Sequence, residues 1–380
     1  MKTVISAQVA TKPSVRADDL PEHETPWQEF VRIYQKDRLA LAGFFVLVAL
    51  LVIAVAGKAL TEWWVLFDPE VVRLPDKFFP PLSSPSPDIA TSDRPLGGLY
   101  LFGTDELGRD VFARMFQGSF VSLSVGFVAV GISLLVGIVL GGLAGYYGQE
   151  ALSLKMLLIG IIVVLLGIII EKVYLYDQLN KVVFYAQWDL VGYVFIMGLL
   201  GVWAMKISLD TLIMRFTDAW LCFPTFFLIL TAVALLPPSI YTIMFIIGLT
   251  SWMGTTRFVR AEFLALREQD YVTAAKALGL PEARIIFRHM VPNALAPVFV
   301  SATIGVATAI LTESALSFLG FGVPPPYATW GNILSDGKGF IFDAPWLFFI
   351  PGLAIFIVVL AFNLVGEGLR EALNPKLRRR

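Results

Sequence analysis

DYVTAAKALGLPEARIIFRHMVPNALAPVFV, residues 270–300, joins two kinds of sequence. Its first third is short, rich in alanine and stopped by glycine. Its last third opens an apolar run that continues to residue 318. Asp270 is positioned to cap a helix in which Ala274, Ala275, Ala277 and Leu278 carry little side-chain bulk. Gly279 suits the left-handed residue that follows a helix, and Pro281 suits the first turn of the next. The expectation is a helix of about two turns between breakers. Helices shorter than about 12 residues are marginal in water, so this one needs support from its flanks and from something it touches. The residues alone leave two readings open: a helix inserted into a groove on a partner, or an ordinary connector between two membrane spans.

Outward from this island the chain is apolar. Hydrophobic residues make up 57% of the 380, charged residues 16%, and the mean hydropathy is +0.74. Such a composition belongs in a bilayer. A formal net charge of -1 argues against a nucleic-acid partner, which would call for a basic face. The single cysteine, Cys222, cannot form an internal disulfide.

Residues 1–38 are polar, lack the pattern of a removable signal peptide, and are expected to be a cytosolic tail. The run LALAGFFVLVALLVIAVAG (39–57) is long enough to cross about 30 Å of hydrocarbon. Residues 58–118 are proline-rich and read as an extracytoplasmic loop or small subdomain. Near its end, Thr104 or Asp105 is a candidate cap for a helix with Val111, Phe112, Met115 and Phe116 on its apolar face, either lying on the membrane or docking a soluble partner. The second core span occupies 119–149, with Gly137, Gly141 and Gly145 in one close-packing stripe. Residues 150–208 hold two further apolar runs, a hydrophobic hairpin that crosses the membrane or enters it only partway. The remaining core spans 209–366, with apolar segments at 212–236, 240–257, 294–318 and 345–366.

Whether the hairpin crosses or not, the count is even and both termini share one side. Arg257, Arg260, Arg267, Lys276, Arg284 and Arg288 cluster in the 258–293 region and just before it, and residues 367–380 form a basic tail. The positive-inside rule assigns both to the cytosol.

TAAKALG, followed by Pro292, resembles the cytosolic loop of permease subunits of binding-protein-dependent ABC importers. FGTDELGRDVFAR, GLAGYYG, MRFTDAWLCFP, ESALSFLGFGVPPPYATWGN and FNLVGEGLREALNPKLR are similar, in order, to the C-type subunit of the dipeptide, oligopeptide and nickel group. The resemblance covers most of the chain outside residues 1–35 and 150–208. It implies an all-α polytopic protein with a six-helix permease core, in the bacterial cytoplasmic (inner) membrane. It further implies a non-identical permease partner, two cytosolic ATPases carrying ATP and Mg, an extracytoplasmic binding protein, and transport by alternating access. By the same resemblance Tyr271, Thr273, Ala274, Ala275, Ala277, Leu278, Gly279 and Pro292 form the ATPase-coupling element. Thr273 stands where the family motif has glutamate; with Asp270 as cap, glutamate would close a capping box that threonine closes only weakly.

The chain has no G-x-x-x-x-G-K-[ST] loop, so no catalytic residue is assigned and ATP hydrolysis is expected in a separate subunit. His23 and His289 lack metal-ligand spacing, and no metal or cofactor is assigned to this chain. Glu313, inside an apolar run, is either a structural hydrogen-bonding group or part of the translocation path. Asp218 and Asn363 read as structural. The rival classes are an ion-coupled secondary transporter and a membrane scaffold; the sequence supplies neither the repeated halves of the first nor a use for the second's socket-like island.

Overall fold

The computed structural model describes residues 26–63, 68–89, 94–148 and 208–373. The hairpin expected at 150–208 lies outside them except for Ser208, as do most of the N-terminal tail and residues 374–380 of the basic tail. Among the described residues the chain is helical, with two isolated β-bridges and no strand. The helices are α1 Pro26–Lys36, α2 Arg38–Lys58, α3 Val111–Tyr147, α4 Leu209–Leu221, α5 Thr225–Leu235 and α6 Ile240–Thr250. They continue as α7 Trp252–Arg267, α8 Asp270–Ala277, α9 Val291–Phe318, α10 Trp330–Gly337 and α11 Trp346–Leu373.

Four helical stretches have the length and apolarity to cross a membrane: Arg38–Thr61, Val111–Tyr147, Glu282–Phe318 and Trp346–Leu373. The pair α4 and α5, bent by 79° at its break, is a fifth where it crosses as one broken span. The break falls at Pro224, which cannot continue the preceding helix and caps the next. The run expected at 240–257 is divided at Ser251. Its first part, α6, is apolar but only 11 residues, about 16 Å long. The six-helix core therefore requires α6 to cross together with the first turns of α7.

At several helix seams small residues let the backbones approach closely. On α2, Ala40, Gly43 and Gly57 are buried while Phe45, Val52 and Val55 face outward. A Cβ on Gly43 would lie 2.9 Å from Leu364 Cβ of α11. The stripe on α3 works the same way against α7. A Cβ on Gly141 would lie 2.5 Å from the Thr256 carbonyl and 2.8 Å from Val259 Cβ. The stripe is thus an internal seam.

Helix α3 is the centre of the bundle, touching α2, α4, α6, α7, α9 and α10. Its 37 residues span about 55 Å, more than the hydrocarbon needs. A separate surface helix before residue 119 is not seen: the two expected elements are one rod. The polar residues that interrupt the apolar pattern there are matched by tertiary partners. Gln117 Oε1 accepts from Ala328 N at 2.9 Å, and Ser122 Oγ accepts from Trp330 N at 3.2 Å. The cap is Asp110, whose carboxylate accepts from Phe112 N at 2.9 Å, and not Thr104 or Asp105. Those two lie in the preceding knot. Thr104 Oγ1 donates to the Asp76 carbonyl at 2.5 Å, and Asp76 accepts from Tyr100 Oη at 2.6 Å. Burial, and then that hydrogen bond, push the Tyr100 phenol well above its usual range.

Candidate functional site

The 268–292 segment folds as a compact lever at one end of the bundle. Gln269 takes the cap position of α8 with extended backbone and no side-chain hydrogen bond; its carbonyl accepts from Val272 N and Thr273 N at 3.0 and 3.1 Å. Asp270 is therefore the first helical residue. It acts through the helix dipole and does not cap. The capping-box argument shifts with it, because Thr273 no longer occupies the reciprocal position. Its hydroxyl instead donates to the Asp270 carbonyl at 2.9 Å.

The C-terminus is as expected from Gly279, whose φ is +71°. Leu280 N donates to the Ala275 carbonyl at 3.2 Å and Gly279 N to Lys276 at 2.9 Å, the paired bonds of a Schellman stop. The left-handed residue lets Leu280 turn back onto the face that holds Ala275.

That face anchors the lever. Val272 and Ala275, three apart and so on one side, are buried among Val259, Phe263, Ile285, Met290 and Ala294. Ala275 thus packs on the chain's own core, so within the expected coupling set it lies on the anchored face of α8 and not on its open one. Val272 had no assigned role, although its spacing from Ala275 was the available signal. The opposite side is open: Tyr271, Thr273, Ala274, Ala277 and Leu278 are exposed, Leu278 to 80%. Pro292 is exposed in the first turn of α9, and Phe287 is exposed in the π-helical stretch before it.

Polar contacts tie the lever to the end of α3. Arg267 Nη1 donates to the Tyr146 and Tyr147 carbonyls at 3.4 and 3.5 Å, placing a cation at the negative end of that helix. Lys276 Nζ lies 5.2 Å from the centre of the Tyr146 ring. Tyr147 Oη donates to Glu282 at 2.7 Å. Beyond Glu282, Ile285–Met290 form a π-helical stretch that runs into α9. Helix α8 therefore touches α3 through Lys276 and reaches α9 by way of the π stretch.

Glu313 is far from the lever, 22 residues and about 33 Å along α9 from Val291. It is fully buried. Its Oε1 accepts from Ser317 Oγ at 2.6 Å, while Oε2 and the neighbouring Ser314 Oγ have no hydrogen-bond partner among the described residues. Asp218 forms an exposed ion pair with Arg257 at 2.5 Å, and Asn363 donates to the Val359 carbonyl. No group of three His, Cys, Asp or Glu side chains converges among the described residues.

Residues 195–379 match the family model described as binding-protein-dependent transport system inner membrane component, and residues 25–81 match that of the N-terminal TM domain of oligopeptide transport permease C. The chain is 34% identical over 356 residues to the dipeptide transport system permease protein DppC of Alkalihalophilus pseudofirmus, covering 93% of this chain and 91% of that one. It is 29% identical over 353 residues to the oligopeptide transport system permease protein OppC of Bacillus subtilis, covering 93% and 90%. With the glutathione transport system permease protein GsiD of Pectobacterium atrosepticum it shares 29% over 373 residues, 98% and 97% of the two chains.

Proposed function

Because the chain belongs to the family of binding-protein-dependent transport system inner membrane components, we propose that it is one of two unlike permease subunits of an ATP-driven importer of short peptides. As a subunit of an ABC transporter it supplies the passage, and hydrolysis takes place elsewhere in the complex.

The observation that carries the mechanism is the two-sidedness of α8. One face, Val272 and Ala275, is fixed to the chain's own core; the other, with Ala274, Ala277 and Leu278, is free for a groove on a cytosolic ATPase. Closure of two ATPases on ATP and Mg pushes the lever. The push passes through Arg267, Lys276 and Glu282 to α3, and through the π stretch to α9. The bundle then alternates between outward- and inward-open states, which nucleotide can drive only by binding the two unequally. A binding protein delivers the peptide on the opposite side. This orientation, with both termini cytosolic, is supported by the basic residues around the lever.

The test is a single cysteine at Leu278 in a Cys222→Ser background. In the complex purified with its native partners, it is expected to crosslink to an ATPase subunit, and ATP is expected to change the crosslinking yield. Crosslinking to no ATPase, or modification of the cysteine by an impermeant reagent applied to intact cells, would refute the assignment.

A further inference from the structure

At the end of the bundle away from the lever, a cavity of about 460 Å³ opens between the end of α5, the 317–327 turn and α10. That volume is in the usual range for small-ligand sites, roughly 300–1,000 Å³. Leu236, Phe321, Val323, Pro325 and Tyr327 make its apolar walls.

The polar wall is an ion cluster. Arg109 Nε donates to Asp105 at 2.7 Å, and Arg114 Nη1 donates to Asp105 at 2.6 Å and to Asp336 at 2.9 Å. Arg109 Nη2 reaches Asp336 only at 3.5 Å. Asp105 is fully buried and Arg114 nearly so, whereas the side chains of Arg109 and Asp336 keep 18% and 28% of their exposure. Among the described residues every bond to Asp336 uses Oδ2, leaving Oδ1 without a partner, and Arg109 Nη1 has none either. The floor includes Ser317, the residue that donates to Glu313.

Two guanidinium groups and two carboxylates cancel, so a ligand of net charge gains little here. A ligand carrying both signs can satisfy each open group without leaving either desolvated and unpaired. We propose that this cavity binds a short zwitterionic peptide, Asp336 Oδ1 accepting from its ammonium group and Arg109 Nη1 donating to its carboxylate. The permease then holds its own substrate for part of the passage, with Ser317 and Glu313 next along the way. This inference rests on the importer reading above.

The test uses the whole complex in lipid nanodiscs, without binding protein, and the photoreactive dipeptide alanyl-benzoylphenylalanine. Labelling is expected to map to residues 321–327. Dialanine is expected to compete at least tenfold better than its N-acetylated, C-amidated form, and Asp336→Asn to lose at least fivefold of the label. Labelling only elsewhere, equal competition by the blocked peptide, or full labelling of Asp336→Asn would overturn the site. If Asp336→Asn does not assemble, Leu236→Trp fills the cavity without touching the ion cluster; an assembled Leu236→Trp complex that still labels also overturns it. ATP-dependent dipeptide uptake with binding protein present is measured alongside. Uptake without labelling sinks the site and spares the importer reading, whereas labelling without uptake does the reverse.

Discussion

Val272→Ala tests whether the lever works only while docked to its own core. Helix α8 has eight residues, too few to persist alone, and its buried anchors are Val272 and Ala275. Val272 is fully buried, so truncation removes about two methylene equivalents at ~0.8 kcal/mol each, plus a small cavity term. The loss is about 2 kcal/mol, charged almost wholly to the docked state because an undocked helix exposes either side chain to water. At 1.4 kcal/mol per tenfold, the undocked fraction rises roughly 10- to 30-fold. Hydrogen exchange on the assembled complex should show that loss of protection at residues 273–280, with α3 and α9 unchanged. Reconstituted vesicles should continue to hydrolyse ATP while moving less solute per ATP, because the push is no longer delivered to α3. Unchanged exchange protection together with unchanged solute moved per ATP would refute the anchoring argument.

Gly141→Val should lower stability by about 1–3 kcal/mol or more, read as a lower thermal midpoint, because a Cβ there already meets the Thr256 carbonyl, whereas Gly131→Ala, with nothing within 4 Å, should be neutral or stabilising; equal effects would refute the seam. Asp110 lies outside the spanning segment, and burial pushes its carboxyl up from 3.8 to about 6, against the pull of the Phe112 and Ala113 N–H groups and Arg73. A folded pKa above the unfolded one means that its ionisation lowers stability as pH rises from about 4 to 6. Asp110→Asn keeps a capping oxygen and should raise stability at pH 7 by on the order of 1–3 kcal/mol, read as a higher thermal midpoint, with little effect at pH 4; a lower midpoint at pH 7 would contradict this. Glu313→Gln should reduce uptake without reducing the amount of assembled complex, and unchanged uptake would remove Glu313 from the path.

Composition alone determined the solvent. Runs such as 39–57 have no polar face to offer water, so the membrane class and the all-helical fold follow from backbone hydrogen bonding, whatever packs against them. Local chemistry determined the lever's stop, since Gly279 is the residue that tolerates the left-handed turn. Tertiary structure decided what local signals could not. Gln117 and Ser122 interrupt the apolar pattern of α3, yet they stay helical because Ala328 N and Trp330 N, more than 200 residues away, satisfy them. The cap of α8 moved to Gln269, and Ala275 turned inward, because an eight-residue helix takes its rotation from the core it docks on. The cluster of Arg109, Arg114 and Asp336 was invisible in the chain for the same reason: opposite charges far apart in sequence become partners only when the fold removes the water between them.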